Sequence, residues 1–477
     1  MIKIALPAGD IRGSTAQVLA SAGQTVEGYG EGSRSYRLSI RGSDALTVRV
    51  FRERDIPMQV ALGNYDLGIC GLAWVKEVLA RFPDQPLVPL GGLGIGACGI
   101  YAAAAGSVCQ GLADLGSLPR IRIASEYPNL AEAFAIAARL PCYRVQAIWG
   151  AAEAYPPEDA DLAIVVSPDE GSLRAQGLEP LFRLFESSAW LIGNAGSLQA
   201  KDLSAVLAPL MTSATGAVRS SSLDLPPPLV ATRTTRAERS RPDVLRLAVP
   251  DGHQQRHVVE ALRAAGLKFE GYDDANCVRR PTSPIAGLEV KVIRPHDMPQ
   301  LVAMGTMDIA VTGRDCLMEH LYRFPSSPVI ELLDLQRGQY NLSAVVSEDL
   351  PADDIGDALA YWRSCGKEVL RVASEFAGTA DHYARSRHFW RYQVIPIAGA
   401  SEGFVPEDAD LLIEGTETGR TLVENRLKPI DLLYRSTTCV IGRRDAELTG
   451  RRREVFREVL AALGEAVSST AGETKPV

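Results

Sequence analysis

A run near the end of the chain, ADLLIEGTETGRTLVENRL (409–427), gathers residue types that suit a sugar phosphate. Ala409 to Ile413 reads as a short apolar strand. It runs into Glu414, Gly415, Thr416, Glu417, Thr418, Gly419, Arg420 and Thr421, and Leu422 onward reads as the start of a helix. A strand that ends in a Thr/Gly turn before a helix aims several backbone N–H groups at one point. Threonine hydroxyls add donors, so the turn suits an anion. Gly419 lets the backbone approach closely. Glu414 and Glu417 flank the turn, where carboxylates accept hydrogen bonds from sugar hydroxyls. An ordinary capped strand–helix turn is written with the same letters.

The elements that position this run belong to a module written twice. IKIALP (2–7) and LRLAVP (245–250) both read as buried strands. RERDIPMQVALGNYDLGICG (52–71) lies on RPHDMPQLVAMGTMDIAVTG (294–313), matching Asp55 with Asp297, Pro57 with Pro299, Gly63 with Gly305 and Gly71 with Gly313 at an offset of 242. IRIASEY (121–127) lies on LRVASEF (370–376), and DLAI (161–164) on DLLI (410–413), where the offset is 249. Asp297 reads as the cap of a helix with Pro299 in its first turn and Gly305 at its end, and Asp55, Pro57 and Gly63 repeat that grammar. Strand, helix and strand in succession predict a parallel sheet with crossover helices. STAQVLASAGQ (14–24) and RHVVEALRAAGL (256–267) read as the first helix of each copy. The Pro-rich, polar stretch 219–243 reads as a linker. The expected organisation is therefore a first module over 1–218, the linker 219–243, a second module over 244–447 and a C-terminal helix and tail over 448–477.

Taken together, these blocks resemble the catalytic module of ATP phosphoribosyltransferase, the first enzyme of histidine biosynthesis. The R-P-x-D-[IM]-P helix start, the D-[IL]-[GA]-[IV]-x-G strand, A-S-E-[YF], G-x-x-E (399–402) and E-G-T-E-T-G-R-T-L carry the resemblance, with YPNL and FESSAWLIGN in the first copy. It covers about 1–218 and 244–445. The resemblance implies an α/β fold, two tandem bilobal modules like type II periplasmic binding proteins, with mixed, mostly parallel sheets and the site in a cleft. It implies transfer of a phosphoribosyl group from phosphoribosyl pyrophosphate to N1 of ATP or a related base, with release of pyrophosphate and with Mg²⁺ as cofactor. It places Glu414 and Glu417 at the ribose, Thr418, Gly419, Arg420 and Thr421 at the 5′-phosphate with Thr416 and Leu422 beside them, and Arg294, Gly313, Arg314 and Glu402 around the substrates. Displacement at an anomeric carbon develops positive charge, which a carboxylate such as Glu414 stabilises.

The copies are unequal. In the first, Val165 stands for Glu414, Pro168 for Glu417, and Asp169-Glu170-Gly171-Ser172 for Thr418 to Thr421. Glu170 is expected to repel a phosphate there. TGRD (312–315) becomes CGLA (70–73). The family's first loop, P-K-G-R, is Pro250-Asp251-Gly252-His253-Gln254 in the second copy and Pro7-Ala8-Gly9-Asp10-Ile11-Arg12 in the first, so the lysine is missing from both. Arg256, Arg294 and Arg314, or Arg12 from the other copy, are the candidates to replace it.

Other features suggest less. His253 and His257 are spaced for a metal pair, but no third ligand is evident. GGLGIGACG (91–99) lacks dinucleotide-loop spacing. His382, His388, Trp390 and Tyr392 read as packing residues, and Arg443, Arg444 and Arg451–Arg453 as a solvated face. The net charge of −8 argues against nucleic-acid partners. No apolar stretch reaches the ~18 residues of a membrane span. The opening strand pattern, without a signal peptide, and eight scattered cysteines read as reduced, buried thiols predict a cytoplasmic protein. The metal ligands are unknown from sequence. Expected partners are small molecules, ATP and phosphoribosyl pyrophosphate, and the assembly is a pseudo-symmetric monomer or homo-oligomer. From the length after residue 448, the regulatory domain of long-form relatives is not expected. Three functions stay open: a transferase, a non-catalytic sensor of a phosphoribosylated nucleotide, and an activating partner subunit of another transferase.

Overall fold

The computed structural model describes residues 2–33, 35–40, 43–140, 142–213, 223–229, 243–274, 277–417 and 419–471. Thr418 and most of the linker lie outside them. Each copy forms two lobes, each built on one mixed sheet covered by helices. The first lobe of the first copy orders its strands Arg37–Ile40, Ser43–Arg52, Ile2–Ala8, Leu67–Gly71, Ala189–Asn194, Leu87–Gly92. Its second lobe orders Leu178–Ser187, Cys98–Ala105, Leu162–Ser167, Ile121–Ser125, Tyr143–Ala147. The second copy repeats both, except that the counterpart of the outer strand Arg37–Ile40, Cys277–Thr282, pairs with Glu270–Tyr272 in a separate two-stranded sheet. Its first lobe is Leu288–Ile293, Leu245–Pro250, Ile309–Gly313, Thr438–Arg443, Val329–Asp334, and its second is Tyr392–Pro396, Leu370–Ser374, Leu411–Thr416, Tyr340–Ser347, Leu427–Ser436.

In the second copy's sheets only three consecutive strands run parallel, and the two added by the chain crossing between lobes pair antiparallel. The parallel strands are the apolar runs legible in sequence. Buried on both faces, Leu247 to Val249 and Val372 to Ser374 have no room for polar alternation. The helices Arg12–Ser21 and His253–Ala264 appear as expected and give way to Gly23 and Gly266 at positive φ. The C-terminal helix Gly450–Ala471 buries Val455, Val459 and Leu463 against the second copy's first lobe.

The copies are packed crosswise. The second lobe of the first copy shares an apolar core with the first lobe of the second: Tyr155, Ala163 and Leu173 meet Met298, Leu301 and Ile441. Reciprocally, Phe51, Ile56 and Trp190 meet Val345, Phe404 and Leu412. Asp55 and Asp297 do occupy helix N-cap positions, but neither side chain bonds its own helix. Both cross the seam instead. Asp297 accepts from the Trp149 N–H at 3.1 Å and the Tyr155 hydroxyl at 2.9 Å, and Asp55 accepts from the Ala398 N–H at 3.0 Å. The repeated Asp is thus an inter-copy clamp that looks like a cap in one-dimensional reading. Further along the seam Lys291 pairs with Asp159 at 2.7 Å, Arg49 with Glu407 at 2.7 Å, and Tyr65 donates to Asp408 at 2.7 Å. Cys70, Cys109, Cys316 and Cys439 are buried free thiols, whereas Cys142 and Cys365 are exposed. Their segments pass over the surface, so the expectation of uniformly buried cysteines is corrected.

Candidate active site

A cavity of about 690 Å³ runs along the seam and joins the cleft of the second copy to that of the first. Its second-copy end holds the Thr/Gly run. The strand there extends to Thr416, beyond the expected end at Ile413, because Tyr340–Ser347 pairs with it as far as Asn341 opposite Thr416. Glu414 is therefore a strand residue, fixed by pairing with Ser343. The helix that follows, Arg420–Glu424, begins before Leu422 and is entered through Gly419 at φ +70. No Cβ is tolerated cheaply at that angle.

Glu402, Glu414, Thr416, Glu417, Gly419, Thr421, Leu422, Arg294 and Gly313 all line the cavity. Arg314 and Arg420 are not among its lining residues. Arg314 is bound to Glu331 at 2.6 Å and Asp334 at 2.9 Å, and Arg420 is exposed and pairs with Glu424 at 2.7 Å. Each is thus held by a carboxylate beside it and away from the cavity wall. Thr418 lies outside the described residues. Arg12 does not reach across either. It is buried in its own lobe, donating to the Ser35 carbonyl at 3.0 Å with its guanidinium 5.0 Å from the Tyr29 ring centre. Arg256 lies beside His257 outside the lining set.

The cations at the cavity come instead from strand ends. Arg52 and Arg54 of the first copy join Arg294 of the second. Arg52 and Arg294 are matched by the offset of 242, so the repeat itself carried the signal that Arg52 belongs with Arg294. Asp251 takes up Arg279 at 2.6 Å and Arg294 at 3.2 Å. Arg54 lies 6.0 Å from the Trp74 ring centre and 5.7 Å from that of Trp149, and His296 stacks on Trp149 at 4.4 Å and on Phe376 at 5.4 Å. Sequence reading missed this aromatic column, because residues from four separate segments build it.

Carboxylates stand among these arginines: Glu375 and Arg52 both reach over Gly399. Burial holds the Glu414 carboxyl well above the ordinary range, and Glu402 and Glu375 push it further, while bonds from Ser401 and its own neighbour's N–H oppose them. Glu375 is raised to about 7 by burial, moderated by Arg52 from the other copy. At the pseudo-symmetric place, burial raises Glu126 to about 7, moderated by Arg294. A site that keeps carboxyls protonated when empty can ionise them as positive charge arrives. His253 and His257 line the cavity, and His257 stands 3.8 Å from Glu417. Among the described residues no three His, Cys, Asp or Glu side chains converge to hold a metal.

The first copy's counterpart loop is closed. Asp169 caps the helix Glu170–Ala175, accepting from the Ser172 N–H at 2.7 Å and its hydroxyl at 3.0 Å. The expected obstacle, Glu170, is instead turned to Arg174 at 3.2 Å. The carboxylate that fills the anion position is Asp169.

Comparison with known proteins agrees with the repeat. The profile of the family ATP phosphoribosyltransferase matches residues 52–213 and again 294–465, well over half of the chain. The ATP phosphoribosyltransferase of Rubrobacter xylanophilus is 31% identical over 221 residues, covering 46% of this chain and 95% of that protein. That of Deinococcus radiodurans is 29% identical over 243 residues, 51% of this chain and 99% of that protein. That of Saccharolobus solfataricus is 30% identical over 204 residues, 42% of this chain and 65% of that protein. Among solved structures, an ATP phosphoribosyl transferase (HisG:HisZ) complex from Thermotoga maritima is similar at 23% identity and a TM-score of 0.38, covering 47% of this chain and all of that one. The periplasmic aliphatic sulphonate binding protein SsuA from Escherichia coli is similar at 12% identity and a TM-score of 0.32, covering 49% of this chain and 75% of that one. The mixed α/β lobes and the twice-matched profile define a tandem, bilobal transferase-type chain. It belongs to the ATP phosphoribosyltransferase family.

Proposed function

We propose that the second-copy cleft transfers a phosphoribosyl group from phosphoribosyl pyrophosphate to a base nitrogen, N1 of ATP or a close relative. The observation that carries this reading is the convergence of Glu402, Glu414, Thr416, Glu417, Gly419, Thr421 and Leu422 with Arg52, Arg54 and Arg294 on one cavity. The nitrogen lone pair forms the bond to C1 as the C1–oxygen bond to pyrophosphate breaks, and that electron pair leaves on pyrophosphate. The alkylated base keeps the positive charge until its exocyclic amine loses a proton. Thr416, Gly419 and Thr421 orient the 5′-phosphate. Glu414 and Glu402 face the ribose, where positive charge develops. The seam arginines draw the leaving pyrophosphate. Among the described residues no group of His, Cys, Asp or Glu is arranged as a metal cage, and Mg²⁺ is proposed to enter with the pyrophosphate it accompanies. ATP and phosphoribosyl pyrophosphate are the proposed partners, with the cytoplasm and histidine biosynthesis as the setting. No helix among the described residues is long and apolar enough to cross a membrane.

Incubation of the full chain with ATP, phosphoribosyl pyrophosphate and Mg²⁺ is expected to release pyrophosphate and yield an N1-substituted nucleotide. One observation favours a second reading, that of a phosphoribosyl-nucleotide sensor or an activating partner subunit: Asp251 stands where the family carries a cation and takes up Arg279 and Arg294. Tight binding of phosphoribosyl pyrophosphate with no turnover, alone or with a range of bases, would favour that reading over the transferase. Turnover only in mixture with another transferase would favour the partner subunit.

A further inference from the structure

The run that ends at Thr421 is not held by its own copy alone. Asn425 follows the short helix and is 1% exposed. Its side-chain amide donates to the Thr421 carbonyl at 2.8 Å, and its side-chain oxygen accepts at 2.9 Å from the N–H of Tyr36, a residue of the first copy. The Tyr36 carbonyl in turn accepts from the Val50 N–H at 3.0 Å, on the strand that ends at Arg52. A path of hydrogen bonds thus runs from Thr421 across to Val50 of the first copy, two residues before the cavity-lining Arg52 on the same strand. Leu422, one residue past Thr421, is buried in the mixed core with Phe51 and Ile56 and seats the same turn on the first copy. The Tyr36 phenol is held above its ordinary range by burial and by Glu402 and Glu414, with Arg52 and Arg12 opposing.

The mirror position lacks this arrangement. Tyr29 and Tyr272, and Arg37 and Arg280, make matching bonds at an offset of 243, which puts Arg279 where Tyr36 stands, and the offset of 249 puts Gln176 where Asn425 stands. Arg279 pairs with Glu153 at 2.8 Å and Asp251 at 2.6 Å, and Gln176 is exposed. Among the described residues the brace therefore stands beside the open loop and not beside the loop closed by Asp169.

We propose that Asn425 is a positioning residue through which the first copy, by way of Tyr36, sets the geometry of the second copy's phosphate run. The first copy's task is then to brace that run. The proposal rests on the reading of the run as a phosphate site, but its first test does not.

The test uses the full chain carrying Asn425→Ala or Asn425→Ser. Serine keeps a local bond, from its hydroxyl back to the Thr421 carbonyl, but cannot reach Tyr36. Without ligand, backbone amides of 419–426 are expected to exchange with solvent about tenfold faster in both variants, the loss expected for one buried hydrogen bond. With ribose 5-phosphate as the probe, calorimetry is expected to show binding weakened about tenfold. KM for phosphoribosyl pyrophosphate rises in parallel, with kcat changed less than about threefold. Gln176→Ala in the first copy is expected to change none of these. An Asn425→Ser chain that exchanges and binds like wild type overturns the cross-copy brace, as does a Gln176→Ala chain as impaired as Asn425→Ala. If Asn425→Ala fails to fold, the serine variant carries the comparison. If wild type does not bind ribose 5-phosphate, the phosphate reading fails, and the exchange comparison still decides the brace.

Discussion

Two buried carboxyls set the behaviour of single residues here. Glu414 is fixed on a strand, enclosed, and raised well above the ordinary range by burial and by Glu402 and Glu375. Its value to the proposed reaction is a negative charge available where the sugar becomes positive. Glu414→Gln keeps the shape and removes that charge, so kcat for transfer is expected to fall about 10²-fold with a smaller change in KM. A fall below threefold in steady-state assays would remove Glu414 from the chemistry. Asp297 is raised from 3.8 to about 7 by burial, and its bonds from Trp149 and Tyr155 only partly offset this. The folded chain holds this proton where the unfolded chain has released it. Its contribution is therefore full below about pH 4 and is lost as pH rises through about 7. Asp297→Asn still offers an acceptor to both donors and has no charge to bury. It is expected to stabilise the chain on the order of 2–4 kcal/mol at pH 8 and much less at pH 4. Equal shifts of Tm at both pH values would contradict this.

At the scale of elements, one strand–turn–helix unit is used in two ways. In the second copy Gly419 enters the helix at φ +70 and lines the cavity, and among the described residues no side chain caps it. In the first copy Asp169 enters in extended backbone and its carboxylate takes up the Ser172 N–H. A Cβ at Gly419 would meet nothing within 4 Å, so the whole cost of Gly419→Ala is conformational. That cost is about 1–2 kcal/mol of the loop's native geometry. The expected result is several-fold weaker binding of ribose 5-phosphate in calorimetry with Tm nearly unchanged. Unchanged binding would mean that the turn does not hold the phosphate in this geometry.

At the scale of the whole molecule, the crosswise packing makes the two copies one pseudo-symmetric unit, with the proposed phosphate turn on one side only. Calorimetric titration with ribose 5-phosphate is expected to saturate at one molecule per chain. Two equivalent sites would show that the Asp169 cap yields to ligand and that the first cleft is functional. The seam itself is acid-laden. Asp55 is raised to about 6, and Glu126, Asp297 and Glu375 to about 7, each mainly by burial. By the same sign as for Asp297, the seam groups together lower stability as pH climbs from about 4 to 7.

Much of this was legible in one dimension. The duplication follows from matched blocks, because a sheet buried on both faces demands the same apolar runs each time it is built. The Thr/Gly turn and its altered twin are equally readable, because each is written in a few adjacent residues. Tertiary structure decided what distant segments do to each other. Asp297 carries the grammar of a helix cap, yet its carboxylate crosses to the other copy. Arg314 and Arg420 carry the charge expected for a phosphate, yet nearer carboxylates hold them, and Arg52 and Arg54 stand at the cavity instead. Local sequence specifies the turn through backbone conformation, which acts over a few residues. Which cation reaches it depends on packing two lobes across a seam, and no spacing along the chain records that.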